Sequence, residues 1–274
     1  MPAKVIVTKD DIVAGLRRLG LRGSDRVNVH SSLSRFGFVE GGAYAVIEAL
    51  LEVLGPTGTL MMPTFCQGKV EVFDPANTAS FNGRITETFR HFPGVRRSSH
   101  PTHAYAAIGP DAERYLANAQ RVLAWGPDSP LGRLIADGGW VLLLGATHGS
   151  STAQHHGESA MRIKCFGLDT SPVYYLDEER ELTASVGPTW RSGVCPYDWR
   201  WHEARLRYLS AVRDTYVGSA HLQLLRGSEV IKALGQIIGG QAGADYCSTC
   251  DQHPDITMYE QYRRDNPGEK PSKW

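Results

Sequence analysis

Helical and strand-like hydrophobic patterns alternate along the first half of the chain, and this alternation most limits the folds open to it. Strand patterns cover residues 26–30, 59–62, 104–108 and 141–144. Helical spacing of apolar residues covers the segment capped by Thr8 and residues 43–54, 85–92 and 111–119. Strands separated by helices favour a sheet with helices on both faces. We therefore predict an α/β fold, an α/β/α sandwich with a mixed, largely parallel central sheet.

The pattern changes after about residue 165. Residues 173–176 and 181–186 predict a hairpin, and residues 202–217 and 227–234 predict helices. The tail from residue 266 is polar and contains two prolines, so we expect it to be loosely held. We predict one domain over residues 1–274, with a core of about 8–165, a divergent α+β portion of about 166–265 and the tail 266–274.

Composition excludes several classes of protein. The 274 residues include 29 Lys and Arg against 29 Asp and Glu, and a nucleic-acid binder usually has a basic excess. No apolar run reaches the roughly 18 residues of a membrane helix, and the first residues lack the apolar core of a signal peptide. Five cysteines do not indicate a secreted disulfide framework. We expect a cytoplasmic monomer or homodimer without nucleic-acid or membrane partners.

A histidine and a carboxylate three residues apart follow the apolar run 140–145. If the residues after Thr152 form a helix, His155 and Glu158 share one face of it. The carboxylate could then orient an imidazole that acts as a general base. A histidine that merely satisfies a helix start fits this short motif equally well, and His156 is the competing candidate for the base.

Two further polar segments suit ligand binding. His30, Ser31, Ser32 and Leu33 stand where a strand gives way to a loop, which is where α/β proteins commonly bind ligands. Loop serines that bond only to the backbone are the alternative, and no G-x-S-x-G elbow supports a serine nucleophile. The cluster 97–103 offers a guanidinium, hydroxyls and imidazoles for phosphate recognition. No Walker or G-x-G-x-x-G sequence supports ATP or dinucleotide binding.

Taken in order, eight blocks resemble the aminoglycoside 3-N-acetyltransferase family, the antibiotic acetyltransferases that are unrelated to the GNAT fold. The blocks are VHSSL (29–33) with GG (41–42), GTLMMPT (58–64), FDP (73–75), GRITE (83–87), RSSHPTH (97–103), GPDSP (126–130), VLLLG (141–145) and TAQHHGE (152–158). Eight ordered blocks are far more specific than any single one of them. The likeness spans about residues 25–160.

The resemblance implies an enzyme that acetylates the 3-amino group of the 2-deoxystreptamine ring in a ternary complex with acetyl-CoA, giving antibiotic resistance. It implies that His155 is the general base and that Glu158 orients it or binds the cationic drug. The segment from His30 to Leu33, including Ser31 and Ser32, matches the loop beside the CoA thioester. Further CoA contacts are expected from Arg97, Ser98 and Ser129.

Polycationic aminoglycosides need an acidic pocket, for which Asp74, Asp198 and Glu203 are our candidates. A separate motif, Cys247-x-x-Cys250-x-x-His253, resembles half of a structural zinc site. Cys195 or His202 could complete four ligands, and free thiols with a surface histidine are the alternative.

Three other functions stay open at this point. The fold could acylate a different, non-antibiotic amine, because related folds accept varied substrates. A zinc-dependent hydrolase could use some of the ten histidines, although no H-E-x-x-H motif is present. A non-catalytic protein would bind CoA or the drug without turnover.

Overall fold

The computed structural model describes residues 5–66, 70–160, 167–169, 172–185, 190–192 and 199–237. The strands are β1 (Ile6–Val7), β2 (Arg26–Ser31), β3 (Phe38–Val39), β4 (Thr59–Pro63), β5 (Val72–Phe73), β6 (Arg96–Arg97), β7 (Tyr105–Ile108), β8 (Trp140–Leu144), β9 (Gly167–Asp169), β10 (Tyr174–Leu176), β11 (Leu182–Ala184), β12 (Trp190–Ser192), β13 (Arg213–Val217) and β14 (Ala220–Arg226). The helices are α1 (Lys9–Arg18), α2 (Gly42–Leu54), α3 (Arg84–Phe89), α4 (Ala112–Leu116), α5 (Pro130–Ala136), α6 (Ala153–Ala160), α7 (Trp199–Tyr208) and α8 (Gly227–Ile237).

Seven strands form the central sheet in the order β13-β14-β8-β2-β4-β7-β6. The three middle strands β8, β2 and β4 are parallel, and the other four pairings are antiparallel. The mixed sheet is confirmed, but the expectation of a largely parallel one is wrong. The pairs β6–β7 and β13–β14 are hairpins, and strands joined by a short connection pair antiparallel.

Each face of the sheet carries its own apolar core. Val29 and Leu142 pack with α1, α2 and α3 on one face. Val141 and Leu143 point the other way and pack with residues of α4, α5, α7 and α8. Successive side chains of a strand point to opposite faces, so both faces of β8 are buried. Helices on both faces confirm the α/β/α sandwich.

The later part of the chain differs from the sequence-based expectation in two places. The sequence pattern predicts a single helix over 202–217, yet α7 ends at Tyr208 and Arg213–Val217 is strand β13. Ser210 adopts a left-handed backbone with φ 52°, which ends the helix. Strand β14, which pairs with both β13 and β8, was not predicted. The hairpin of β10 and β11 is confirmed.

The parallel pairing of β2 with β8 brings two loops to one edge of the sheet. Ser31 at the end of β2 lies opposite Leu144 at the end of β8. Gly145, the next residue, has φ 70°, and a Cβ built there would lie 3.1 Å from the Ser32 carbonyl oxygen and 2.9 Å from the Arg35 Cβ. A glycine at this position therefore lets the two loops approach each other closely.

Within the described part of the chain, no helix combines the length and apolar character that crossing a membrane requires.

Gly145→Ala tests this close approach, with Gly138→Ala as the matched control. Gly138 also has a positive φ, 72°, but a Cβ there would meet nothing within 4 Å. We expect the control to lose about 1 kcal/mol of unfolding free energy, the cost of a left-handed alanine. Gly145→Ala should lose about 1–3 kcal/mol more because the added methyl group overpacks the junction. Urea unfolding measures both, and equal losses would contradict the packing argument.

Candidate active site

Helix α6 presents the histidine and carboxylate singled out in the sequence. The Nδ1 atom of His155 lies 2.8 Å from Oε2 of Glu158, one helical turn away, which confirms their predicted shared face. Glu158 is fully buried, whereas the His155 side chain retains 23% of its exposure. A carboxylate that accepts from Nδ1–H fixes the tautomer and directs proton exchange to Nε2. The pair therefore has the geometry of an oriented general base.

The neighbouring histidine is placed differently. His156 is buried, and its Nδ1 donates to the backbone carbonyl of Trp125 at 2.9 Å. Burial lowers the pKa of His156 despite that hydrogen bond. Because His156 is committed to the backbone and lies inside the protein, the geometry favours His155 as the residue that meets a substrate.

An aromatic wall backs His155, and sequence reasoning did not identify its central residue. The indole of Trp125 lies 4.8 Å from the His155 ring, measured between centroids. His103 lies 4.4 Å from the same indole and 4.6 Å from the ring of Phe65. Burial, assisted by His100 and His155, holds the pKa of His103 well below its usual value. The position of Trp125, directly before the GPDSP block, was the available signal.

His30 connects the loop after β2 with the start of α6. Its Nε2 lies 3.1 Å from Asn28 Nδ2 and 3.4 Å from the backbone N–H of Thr152. Both of these groups are donors, so Nε2 acts as an acceptor and the ring is neutral. Burial lowers the pKa of His30 to about 4, which agrees with that assignment.

A cavity of about 800 Å³ opens where the loops after β2 and β8 meet. The structure brings His30, Ser31, Ser32 and Leu33 together in its lining. Arg35 and Arg84 also line the cavity, and no carboxylate is among the lining residues that the structure describes. Hydroxyls and two guanidinium groups make this a suitable environment for an anionic ligand.

The three other expected CoA contacts have roles inside the fold. Arg97 donates to the carbonyl oxygens of Thr64, Pro75 and Thr78 and to the Thr64 hydroxyl. Ser98 is buried, and its Oγ accepts from the Tyr105 N–H. Ser129, also buried, caps α5: its Oγ accepts from the Gly132 N–H and donates to the Gly126 carbonyl. These hydrogen bonds give all three side chains roles within the fold, and their contacts with CoA stay a prediction.

The expected acidic contacts are also engaged elsewhere. Asp74 accepts from the Ala76 and Asn77 N–H groups and pairs with Arg180, and the Arg180 hydrogen bond lowers the pKa of its carboxyl. Glu203 pairs with Arg207 at 2.8 Å. Burial raises the pKa of Glu203, but His148 and Arg207 more than offset that effect. Asp198 lies outside the described residues.

The residues of the predicted zinc site lie in a different part of the chain. Cys195, Cys247, Cys250 and His253 lie outside the described residues. Among the residues that are described, no group of three or more His, Cys, Asp or Glu side chains could hold a metal ion. His202, the alternative fourth ligand, is buried and bonds through Nε2 to the Val230 carbonyl at 2.9 Å.

Comparison with protein families matches residues 29–238 to the family described as aminoglycoside 3-N-acetyltransferase. The chain belongs to this family. Its members are acyltransferases, and the chain is an enzyme of that class. The match continues to residue 238, well beyond the blocks at 25–160 that carry the likeness in sequence.

Curated relatives and solved structures agree with this assignment. Aminoglycoside N(3)-acetyltransferase IX of Micromonospora chalcea is 34% identical over 224 residues, covering 70% of this chain and 80% of the relative. Aminoglycoside N(3)-acetyltransferase IV of Salmonella sp is 31% identical over 232 residues, covering 84% and 87%. A crystal structure of aminoglycoside acetyltransferase AAC(3)-IVa in complex with a gentamicin aligns with a TM-score of 0.76 at 29% identity, covering 86% of this chain and 90% of that one. The structure of AAC-IIIb with CoASH aligns with a TM-score of 0.74 at 25% identity, covering 84% and 95%.

The buried histidines of this acetyltransferase predict a loss of stability in mild acid. Burial holds the pKa of His30 at about 4 and that of His202 at about 3, against an ordinary value of 6.5. Below pH 6.5 the unfolded chain binds protons at these side chains and the native chain does not. The free energy of unfolding should therefore fall between pH 6.5 and about 4, by up to about 1.4 kcal/mol per pH unit for each histidine.

Urea unfolding between pH 7 and pH 5 measures this slope above the range in which the carboxylates titrate. His202→Gln removes one of these buried protonation sites and should reduce the slope by up to about 1.4 kcal/mol per pH unit, the contribution of one proton. A slope that is unchanged in this variant would contradict the assignment of His202 as a buried neutral group.

Proposed function

We propose that this chain transfers the acetyl group of acetyl-CoA to the 3-amino group of the 2-deoxystreptamine ring of an aminoglycoside, with His155 as the general base. The observation that carries the proposal is the 2.8 Å contact between His155 and the buried Glu158, in a chain of this family. The relatives' names and the structures with a gentamicin and with CoASH support the choice of substrates.

The chemistry requires a base because a protonated amine has no lone pair. His155 takes a proton from the amine, and Glu158 stabilises the resulting imidazolium through Nδ1. The amine nitrogen then forms a bond to the thioester carbonyl carbon, and the carbonyl oxygen becomes an oxyanion. The side-chain hydroxyl groups of Ser31 and Ser32 stabilise that oxyanion. When the intermediate collapses, the carbon–sulfur bond breaks and the nitrogen gives up its remaining extra proton to the departing CoA thiolate. CoA leaves as the thiol, and the neutral amide remains on the drug.

Acetyl-CoA occupies the cavity of about 800 Å³ in this proposal. Its lining of hydroxyls, Arg35 and Arg84 suits the phosphates of the cosubstrate. The contacts of His30 with Thr152 join this cavity to the start of α6, the helix that carries His155, and this connection supports the assignment. Because the cosubstrate is made inside the cell, we expect the reaction to take place in the cytoplasm.

His155→Ala should reduce turnover by about 10²–10⁴-fold, the usual contribution of a general base, while acetyl-CoA still binds. Release of CoA thiol from acetyl-CoA with a panel of aminoglycosides measures the reaction, and an analogue blocked at the 3-amino group tests the position of transfer. His91→Ala replaces an exposed histidine as the control. Near-normal turnover of His155→Ala would refute the base assignment, and thiol release with the blocked analogue would refute the regiochemistry.

Arg84→Glu should raise the KM for acetyl-CoA about tenfold or more and change kcat little, because a charged contact to phosphate is worth about 1.5–3 kcal/mol. Arg22→Glu makes the same charge change at an exposed position that is not among the cavity's lining residues. Steady-state kinetics over a range of acetyl-CoA concentrations separates the two constants. Identical KM values for both variants would exclude this cavity as the phosphate site.

A second candidate is the N-acylation of a different amine by the same machinery. It is favoured by one observation: Asp74 and Glu203, expected to bind the cationic drug, are paired with Arg180 and Arg207. Binding of acetyl-CoA without thiol release across the whole aminoglycoside panel would select this candidate.

A further inference from the structure

Trp125 contacts three histidines in three different ways. Its indole lies 4.8 Å from the His155 ring with an interplanar angle of 37°. The edge-on ring of His103 lies 4.4 Å away at 75°. The backbone carbonyl of Trp125 accepts the hydrogen bond from His156. Consecutive residues of α6 thus hold both the side chain and the main chain of Trp125, which is only 6% exposed.

This arrangement matters once His155 carries a proton. An aromatic face attracts a cation whose centre lies within about 6 Å of the ring centroid, and indole is the strongest of the natural aromatic rings in this respect. The attraction is largest where water is excluded, and Trp125 is buried. The neutral imidazole gains much less from the indole, so the contact favours the protonated form.

The titratable groups described around His155 act in compatible directions. Glu158, on the same helix, holds Nδ1 and favours the imidazolium. His103 faces Trp125 from the segment before β7, with His100 behind it at 5.8 Å. Burial keeps His103 unprotonated, so it adds no positive charge opposite His155.

We propose that Trp125 is a positioning residue for acetyl transfer, which holds the His155 imidazole against Glu158 and stabilises the imidazolium formed when His155 takes the substrate proton. The inference rests on the proposed role of His155 as the base. It adds a second source of stabilisation for the imidazolium, supplied by a side chain outside α6.

Trp125→Leu and Trp125→Phe separate the aromatic contact from simple space filling. The acidic limb of the pH profile of kcat/KM reports the free base, and the substrate amine contributes equally in every variant. We expect the limb to move to lower pH by about 0.5–1 unit in Trp125→Leu and by less in Trp125→Phe, which keeps a weaker aromatic face. An NMR titration of the His155 imidazole, assigned by the signal lost in His155→Ala, should give the same order. The proposal would be overturned if, in both variants, the acidic limb of the kcat/KM profile and the NMR titration of His155 matched those of the wild type.

Fluorinated tryptophan provides a test without a change of shape. Fluorine withdraws electrons from the indole face, so increasing fluorination of the six tryptophans should lower the His155 pKa step by step. The same series in the Trp125→Phe enzyme, where the other five are fluorinated, should give no shift. No shift in the wild type, or an equal shift in Trp125→Phe, would overturn the proposal. Substantial turnover of His155→Ala would instead remove the base assignment itself, so the two failures are distinguishable.

Discussion

The parallel pairing of β2 with β8 is the constraint on which the site depends. Both strands lie in the middle of the sheet and are covered by helices on each face, so their register is fixed by burial. Their carboxyl ends then lie side by side, with Ser31 opposite Leu144. The loop after β2 forms one wall of the cavity, and the loop after β8 forms another and leads directly into α6.

Burial of Glu158 gives the proposed base its rigidity. A fully buried carboxylate is unfavourable without hydrogen-bond partners, and the imidazole of His155 supplies one. Because Glu158 is fully buried, the interaction is stronger than the same contact in water. Gly157 lies in the chain between the two histidines and the carboxylate and packs against Leu234 of α8. The absence of a side chain at Gly157 lets α6 approach α8 closely.

Local spacing in the sequence was sufficient to predict part of this structure. The i, i+3 separation of His155 and Glu158 predicts their contact once a helix is assumed, and alternating patterns predict the layered fold. Hydrogen bonds and packing contacts between residues far apart in the chain could not be predicted from local spacing. Residue type suggests that Arg97 could bind phosphate, but whether its donors are available depends on carbonyls of Pro75 and Thr78, about twenty residues earlier in the chain. Strand β14 and the packing of Trp125 on His155 likewise arise from tertiary contacts between distant segments.

The bridge from His30 to Thr152 has a consequence for how such an enzyme can diverge. The cavity walls come from residues 30–37, 81–86 and 145–150, whereas the proposed base comes from α6. If acetyl-CoA occupies this cavity as we propose, substitutions that reshape an acceptor pocket elsewhere leave the cavity walls unchanged as long as the Thr152 hydrogen bonds to His30 survive. Acceptor binding and acyl-donor binding are therefore structurally separable in the proposed function, and the buried His30 is the residue that joins the cavity to α6.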